Sequence, residues 1–440
     1  MSKRLLLAAG VLAHSCAIGP REPAGIVLIT LDTARADRLS PYGFGDVAMP
    51  ALERLAREGV VFDQATTVVP LTLPAHTSLL TGLLPPRHGV RENASAPLSN
   101  DHVTLAEILE ARGFRTGAFV GSAILNADRG LGQGFQEYGN VSRDSVERPL
   151  SVGGGVQRRG SAVMDDAIRW LMKAGDSPFF LWAHLYDPHR PYEAPEPFAS
   201  RHDPYIAELV YADSQIARLI DALQQRDLLD RVIVIVTADH GESLGEHREM
   251  DHGIFLYESV LRVPLIVRAP GVAPARVADV VRLTDVMPTV LDLLRLPLPA
   301  GDGASLVGVM RGPGGPELEA YAESLYPERH GWAPLFSLRS NRFKFIDAPQ
   351  AELYDLQRDP FEQQNILNQR RELAAALQAR LRTQVRRAPS NAAKGRGDDE
   401  LRARLAALGY VAGRTPETRT GAFLPDPKDC TGTFESGRCK

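Results

Sequence analysis

Apolar and polar positions along most of the chain fall into two alternating patterns. Residues 26–31 (I-V-L-I-T-L) and 232–238 (V-I-V-I-V-T-A) are strand-length runs without polar alternation, as in strands covered on both faces of a parallel sheet. Residues 116–120, 179–185 and 263–268 read as further strands, and residues 60–68 as strand and loop. Residues 49–58, 104–112, 206–229 and 285–294 carry apolar side chains at helical spacing. Another helix starts at Thr72 and runs toward Leu80, with Pro74 suited to its first turn and Gly82 to its stop. This alternation predicts an α/β fold with a doubly wound, mainly parallel sheet flanked by helices, whose ligands bind beyond the carboxyl ends of the strands.

Past Leu298 the pattern changes. Residues 311–316 (R-G-P-G-G-P) read as a linker, and short runs at 318–324, 335–346 and 352–356 predict a small antiparallel sheet. Residues 372–387 have helix composition, and residues 390–400 are polar. The expected organisation is a leading segment at 1–24, a catalytic α/β domain at 25–310, a C-terminal α+β subdomain at 311–412 and a tail at 413–440.

Composition narrows the field. The 440 residues are 44% hydrophobic and 24% charged, ordinary for a soluble globular protein, and allow a sizeable core. A formal net charge of −4 gives no electrostatic reason to expect a nucleic-acid partner. Residues 1–16 read as an export signal, with Lys3 and Arg4 ahead of an apolar run too short to span a bilayer. Small residues then lead to Cys16, a candidate lipid anchor. Cys430 and Cys439 could close a short disulfide loop in an oxidising compartment. The expected location is the periplasm or cell surface, as a candidate lipoprotein.

Asp32 and Asp239 directly follow the two most buried strands. Two carboxylates at such strand ends are costly unless a positive charge sits between them, so Asp32, Asp239 and His240 are candidate metal ligands. Their oxygen and nitrogen donors suit zinc, manganese, magnesium or calcium, with histidine tilting the choice away from the last two.

Residues 69–82, V-P-L-T-L-P-A-H-T-S-L-L-T-G, resemble the sulfatase signature C-x-P-S-R-x-x-L-L-T-G. So do the stretches I-V-L-I-T-L-D-T-A-R-A-D-R at 26–38, H-L-Y-D-P-H-R-P-Y at 184–192, T-A-D-H-G-E-S-L-G-E-H at 237–247 and L-R-V-P-L-I-V-R-A-P-G at 261–271, in the family's order. The chain is therefore identified as a member of the sulfatase-like branch of the alkaline phosphatase superfamily. Thr72 stands where that branch has the cysteine or serine oxidised to formylglycine, Ala75 replaces the motif serine and His76 replaces the arginine. Formylglycine cannot form at Thr72.

The resemblance implies one divalent ion held by Asp32, Thr72, Asp239 and His240, with Thr72 as nucleophile and His76 and His252 as further catalytic groups. It implies substrate contacts by Asn93 and His189, as in phosphonate monoester hydrolases. The plainer readings are a capping threonine, a turn asparagine and a loop-packing histidine. His184, Asp187, His247, Asp251 and His252 raise a second-metal option, to which one metal is preferred. A sulfated threonine has no geminal hydroxyl to expel sulfate, whereas phosphothreonine is an intermediate the superfamily uses. Missing lysines in residues 119–125, together with histidines that can be neutral near pH 7, favour a monoanionic ester over a dianion. The expected activity is hydrolysis of a small-molecule phosphodiester or phosphonate monoester through a covalent Thr72 intermediate. The alternatives are a sulfuric ester hydrolase working without formylglycine and a non-catalytic anion-binding protein.

Overall fold

The computed structural model describes residues 23–142, 157–173, 175, 177–312, 317–386 and 424–430. The leader with Cys16, Cys439, residues 390–400 and most of the expected linker lie outside these residues.

The larger sheet has nine strands. In chain order they are β1 (Gly25–Leu31), β2 (Val60–Thr66), β3 (Arg115–Val120), β4 (Glu137–Gly139), β5 (Phe179–Leu185), β6 (Val232–Ala238), β7 (Arg262–Val263), β8 (Leu265–Arg268) and β9 (Ala275–Arg282). They lie in the order β4-β3-β5-β1-β6-β8-β2-β7, with β9 paired to β2. The five strands from β4 to β6 run parallel, and β8 joins antiparallel. Every residue of β1, β5 and β6 is buried, as their largely apolar character requires, including the polar Thr30, His184 and Thr237. Helices flank the sheet. Gly160–Lys173 and Pro50–Glu58 pack against the long helix Pro204–Gln225, while Thr72–Thr81 packs against Val286–Leu293.

The register places the candidate chemistry. Leu31 of β1 pairs with Leu185 of β5 on one side and Ala238 of β6 on the other. The next residues, Asp32 and Asp239, therefore leave the sheet side by side. Thr30 pairs directly with His184, and Trp182 lies two residues before His184 on the same face of β5.

Three expectations need adjustment. The run 263–268 is broken at Pro264, which has no N–H for the ladder, into β7 pairing with β2 and β8 pairing with both β6 and β2. The helical pattern at 206–229 stops at Gln225, because the chain turns through Asp227 at φ 53° before a short 3-10 turn at Leu229–Arg231. Strand β9 and the helix Gly160–Lys173 were not anticipated; β9 shows no regular alternation of burial.

A second, four-stranded antiparallel sheet follows: β10 (Ala320–Ser324), β11 (Leu335–Arg339), β12 (Phe343–Asp347) and β13 (Glu352–Asp355). The helix Arg371–Arg386 turns Ala374, Leu377 and Leu381 onto it, the spacing of one helix face. Residues 424–430 dock on the same sheet: the Ala333 N–H donates to the Pro425 carbonyl at 2.9 Å, and the Gln350 N–H to Asp426 Oδ2 at 2.8 Å. Cys430, at 1% exposure, is disulfide-bonded to a partner outside the described residues. Among the described residues, no helix is long and apolar enough to cross a membrane.

Candidate active site

Thr72 opens a helix in which every residue is buried. The polar members of a fully buried helix must find partners locally. Thr77 and Thr81 do so by donating to the carbonyls four residues back, both at 2.7 Å. Gly82 ends the helix at φ 66°, a left-handed conformation that favours glycine. At the other end the Leu73 N–H donates to Asn93 Oδ1 at 3.0 Å. Asn93 thus spends its amide oxygen capping the helix that carries Thr72. Its own carbonyl accepts from Arg129 at 3.1 Å, and Arg129 also holds the Ser95 carbonyl at 2.6 Å.

The Thr72 hydroxyl lies 3.5 Å from His240 Nε2. That nitrogen is in turn 3.5 Å from Asp239 Oδ2 and 3.9 Å from Asp32 Oδ1. Asp239 Oδ1 is satisfied by the N–H groups of Thr33 and His240, at 3.2 and 2.8 Å. Asp239 Oδ2 and both oxygens of Asp32 are buried without a well-formed hydrogen bond. Orphaned buried carboxylate oxygens are costly, and a cation bound among them would offset that cost. Ligand atoms of Asp32, Asp239 and His240 all lie within 4.8 Å of one another, so the residues fit a divalent ion.

The electrostatics agree. Burial, and after it the neighbouring Asp32, pushes Asp239 up to about 6. Burial also opposes ionisation of Asp32, but His184 facing it, together with His189 and His240, holds it below the usual carboxylate range. His240 is pushed down to about 3 by burial and by His252, so it is neutral and able to offer a lone pair.

His76, expected as a further catalytic group where the signature has an arginine, has both ring nitrogens engaged within the protein. It is fully buried, with Nδ1 2.8 Å from the Thr72 carbonyl and Nε2 3.0 Å from the Thr30 hydroxyl. Burial lowers it to about 4, and it supplies no positive charge near neutral pH. His252 departs from expectation in the opposite sense. Its Nδ1 lies 3.1 Å from buried Glu242 and 2.8 Å from Asp251. Burial works against its charge, but Asp251 and Glu242 together raise it well above the ordinary histidine value. Glu242 is the stronger influence in our reading, because Asp251 is half exposed and screened by solvent. The His252 ring stands 4.3 Å from that of His240 and 5.1 Å from that of His189. His189 stacks on Tyr186, and its Nδ1 lies 2.7 Å from the Tyr186 hydroxyl and 2.6 Å from the Arg190 carbonyl, which fixes the ring.

The structure therefore gathers Asp32, Thr72, Asp239, His240, His189 and His252 at one end of the sheet; His76 lies one turn along the Thr72 helix, and Asn93 caps that helix from a neighbouring loop. Of the other candidates, Asp187 accepts from the Gly160 N–H, at the start of Gly160–Lys173, while His247 stacks on Tyr257. Glu242 was missed from sequence. So was Thr30, although its place two residues before Asp32, on the same strand face, was a usable signal.

Fold and site together define an ester-bond hydrolase of the alkaline phosphatase superfamily. Within it the chain belongs to the sulfatase family, whose model matches residues 25–296. A second model, N-sulphoglucosamine sulphohydrolase, C-terminal, matches residues 245–390. Human arylsulfatase A is 26% identical over 438 residues, covering 81% of this chain and 86% of that protein. The choline-sulfatase of Rhizobium meliloti is 27% identical over 427 residues, covering 78% and 82%. Among solved structures, the phosphonate monoester hydrolase of Agrobacterium radiobacter superposes with a TM-score of 0.70 at 22% identity, covering 83% of this chain and 96% of that one.

Proposed function

We propose that this chain hydrolyses a phosphodiester or phosphonate monoester through a covalent Thr72 intermediate. The observation that carries the proposal is the Thr72 hydroxyl, buried at a helix start and 3.5 Å from His240 Nε2, beside the orphaned oxygens of Asp32 and Asp239. Asp32, Thr72, Asp239 and His240 would hold the divalent ion. When bound, it supplies a lowered pKa for the Thr72 hydroxyl and charge stabilisation for the ester oxygens.

Thr72 Oγ, its proton lost to solvent, attacks phosphorus as the bond to the leaving alkoxide breaks, and that alkoxide takes a proton from His252. Water then attacks phosphorus, giving its proton to the now neutral His252, and the Thr72–phosphorus bond breaks. Thr72 regains its proton from solvent. His189, as an imidazolium with Nδ1–H on the Arg190 carbonyl, would donate Nε2–H to a non-bridging oxygen. A threonine has one hydroxyl, so its sulfate ester has no internal route to release; this favours phosphorus over sulfur.

Sulfuric ester hydrolysis is the second reading, favoured by the sulfatase names of the relatives. Turnover of matched aryl phosphodiester, phosphonate monoester, phosphate monoester and sulfate by the metal-loaded protein decides between the two. We expect the first two to react fastest and a trapped phosphoryl group to map to Thr72 by mass spectrometry. A faster sulfate ester would overturn the assignment. Export to the periplasm or cell surface, with Cys16 acylated, is also proposed; cell fractionation and metabolic labelling with a fatty acid test it.

A further inference from the structure

Three histidines surround Asp32 and Asp239, and only one of them offers the carboxylates a bare nitrogen. His240 Nδ1 lies 2.9 Å from the Gly241 carbonyl, so it carries the proton and Nε2 faces Asp32, Asp239 and Thr72 with its lone pair. His184 is the reverse. The Gly121 N–H donates to His184 Nδ1 at 3.3 Å, so the ring proton sits on Nε2, 3.3 Å from Asp32 Oδ2. That contact is bent away from an ideal hydrogen bond yet close enough for charge–dipole attraction.

His76 belongs to a chain of bonds whose direction is forced. Its Nδ1 faces the Thr72 carbonyl at 2.8 Å, and a bare nitrogen there would set lone pair against lone pair. The proton is therefore on Nδ1, and the N–H dipole also faces Asp239 Oδ2 at 3.7 Å. Nε2 then accepts from the Thr30 hydroxyl at 3.0 Å, and Thr30 accepts from Trp182 Nε1–H at 3.0 Å.

His76, His184 and Asp239 have donor atoms within 4.8 Å of one another, the spacing of a cation site. The protons forbid that use, since a metal needs the lone pair. Charge balance leads to the same place. Two carboxylates match one divalent ion, and two ions would leave positive charge buried and unpaired.

We propose that His76 and His184 are positioning residues that present N–H groups to this carboxylate pair. They hold Asp32 and the first turn of the Thr72 helix for a single divalent ion and are not ligands of a second. The inference rests on the metal reading given above, and the experiment separates the two.

The metal-stripped full chain is titrated with Mn²⁺, following stoichiometry and affinity by calorimetry and the manganese line shape by electron paramagnetic resonance. The wild type should take up one ion. In His184→Gln the side-chain amide nitrogen falls near the Nε2 position and keeps the donor, and in His76→Asn it falls near Nδ1. Both should bind one ion within about threefold of wild type, whereas His184→Leu and His76→Leu should bind one ion about 10–100-fold more weakly, with an altered line shape. Two ions in the wild type with one lost in His184→Gln would make His184 a ligand and overturn the inference. Wild-type affinity in both leucine variants would overturn it as well. If the leucine variants do not fold, the amide variants decide alone: one ion at near wild-type affinity upholds the inference, and loss of an ion or of more than about tenfold in affinity ends it. A wild type that takes up no Mn²⁺, Zn²⁺ or Ca²⁺ would instead sink the metal reading, in a sample that contains no substitution.

Discussion

His252 keeps its proton because Glu242, buried and 3.1 Å away, has no cheaper way to hold its charge. Burial opposes the histidine's charge, Asp251 and Glu242 overcome it, and the group stays cationic through neutral pH. Activity that uses this proton should therefore run level through neutrality and fall only as His252 deprotonates on the alkaline side. His252→Gln should lower kcat by about 100-fold and flatten that limb, read from pH–rate profiles on a phosphodiester. Thr72 and Asp239 separate chemistry from binding. Thr72→Ala should cut turnover by about 1000-fold or more while the protein still binds a divalent ion. Asp239→Asn should lose ion and turnover together, as elemental analysis of the purified variant will reveal; unchanged metal content would remove Asp239 from the site.

The segment between β6 and β7 carries both Glu242 and His252, and its bend depends on Glu249. That carboxylate accepts from the N–H groups of Ile254 and Phe255, at 2.9 and 3.4 Å, and burial pushes it up to about 8. A carboxyl raised in the folded state contributes stability while it is protonated. The contribution is complete below the unfolded value near 4.5 and is lost as pH rises through about 8. Glu249→Gln keeps the acceptor and removes the titration, so its Tm should fall less than that of the wild type between pH 6 and pH 9, as measured by calorimetry.

The strands around this segment were legible because β1 and β6 are apolar except for Thr30 and Thr237 and end at the aspartates they deliver. What could not be read was which way each histidine faces. His76 occupies a signature position, yet its partners Thr30 and Trp182 come from β1 and β5, and only the parallel register brings them together. Asn93 was recognised by position, but its bond to the Leu73 N–H depends on a loop fold that no periodicity encodes.

The C-terminal sheet reaches back to Thr72 through that same loop. Arg91 makes two bonds to the fully buried Glu323 of β10, at 2.7 and 2.6 Å, and Glu92 pairs with Arg329 at 2.7 Å. Asn93 follows directly and caps the Thr72 helix. Breaking one partner of a buried pair costs about 3 kcal/mol. Glu323→Ala should therefore lower Tm by several degrees and, by loosening Asn93, reduce kcat as well. Activity assayed well below the new Tm distinguishes the two effects, and a full kcat there would mean that the clamp serves stability alone.

Because Leu31 is aligned with Ala238 across the ladder, the spacing of Asp32 and Asp239 is a ruler made of backbone. Each parallel strand advances about 3.3 Å per residue and alternates faces, so one inserted residue in β1 would both displace Asp32 and turn it away from its partner. Diversification among descendants of this chain has no freedom there. It must run through the loops above the ruler, and an insertion scan should find β1 and β6 silent while the surface turns tolerate new residues.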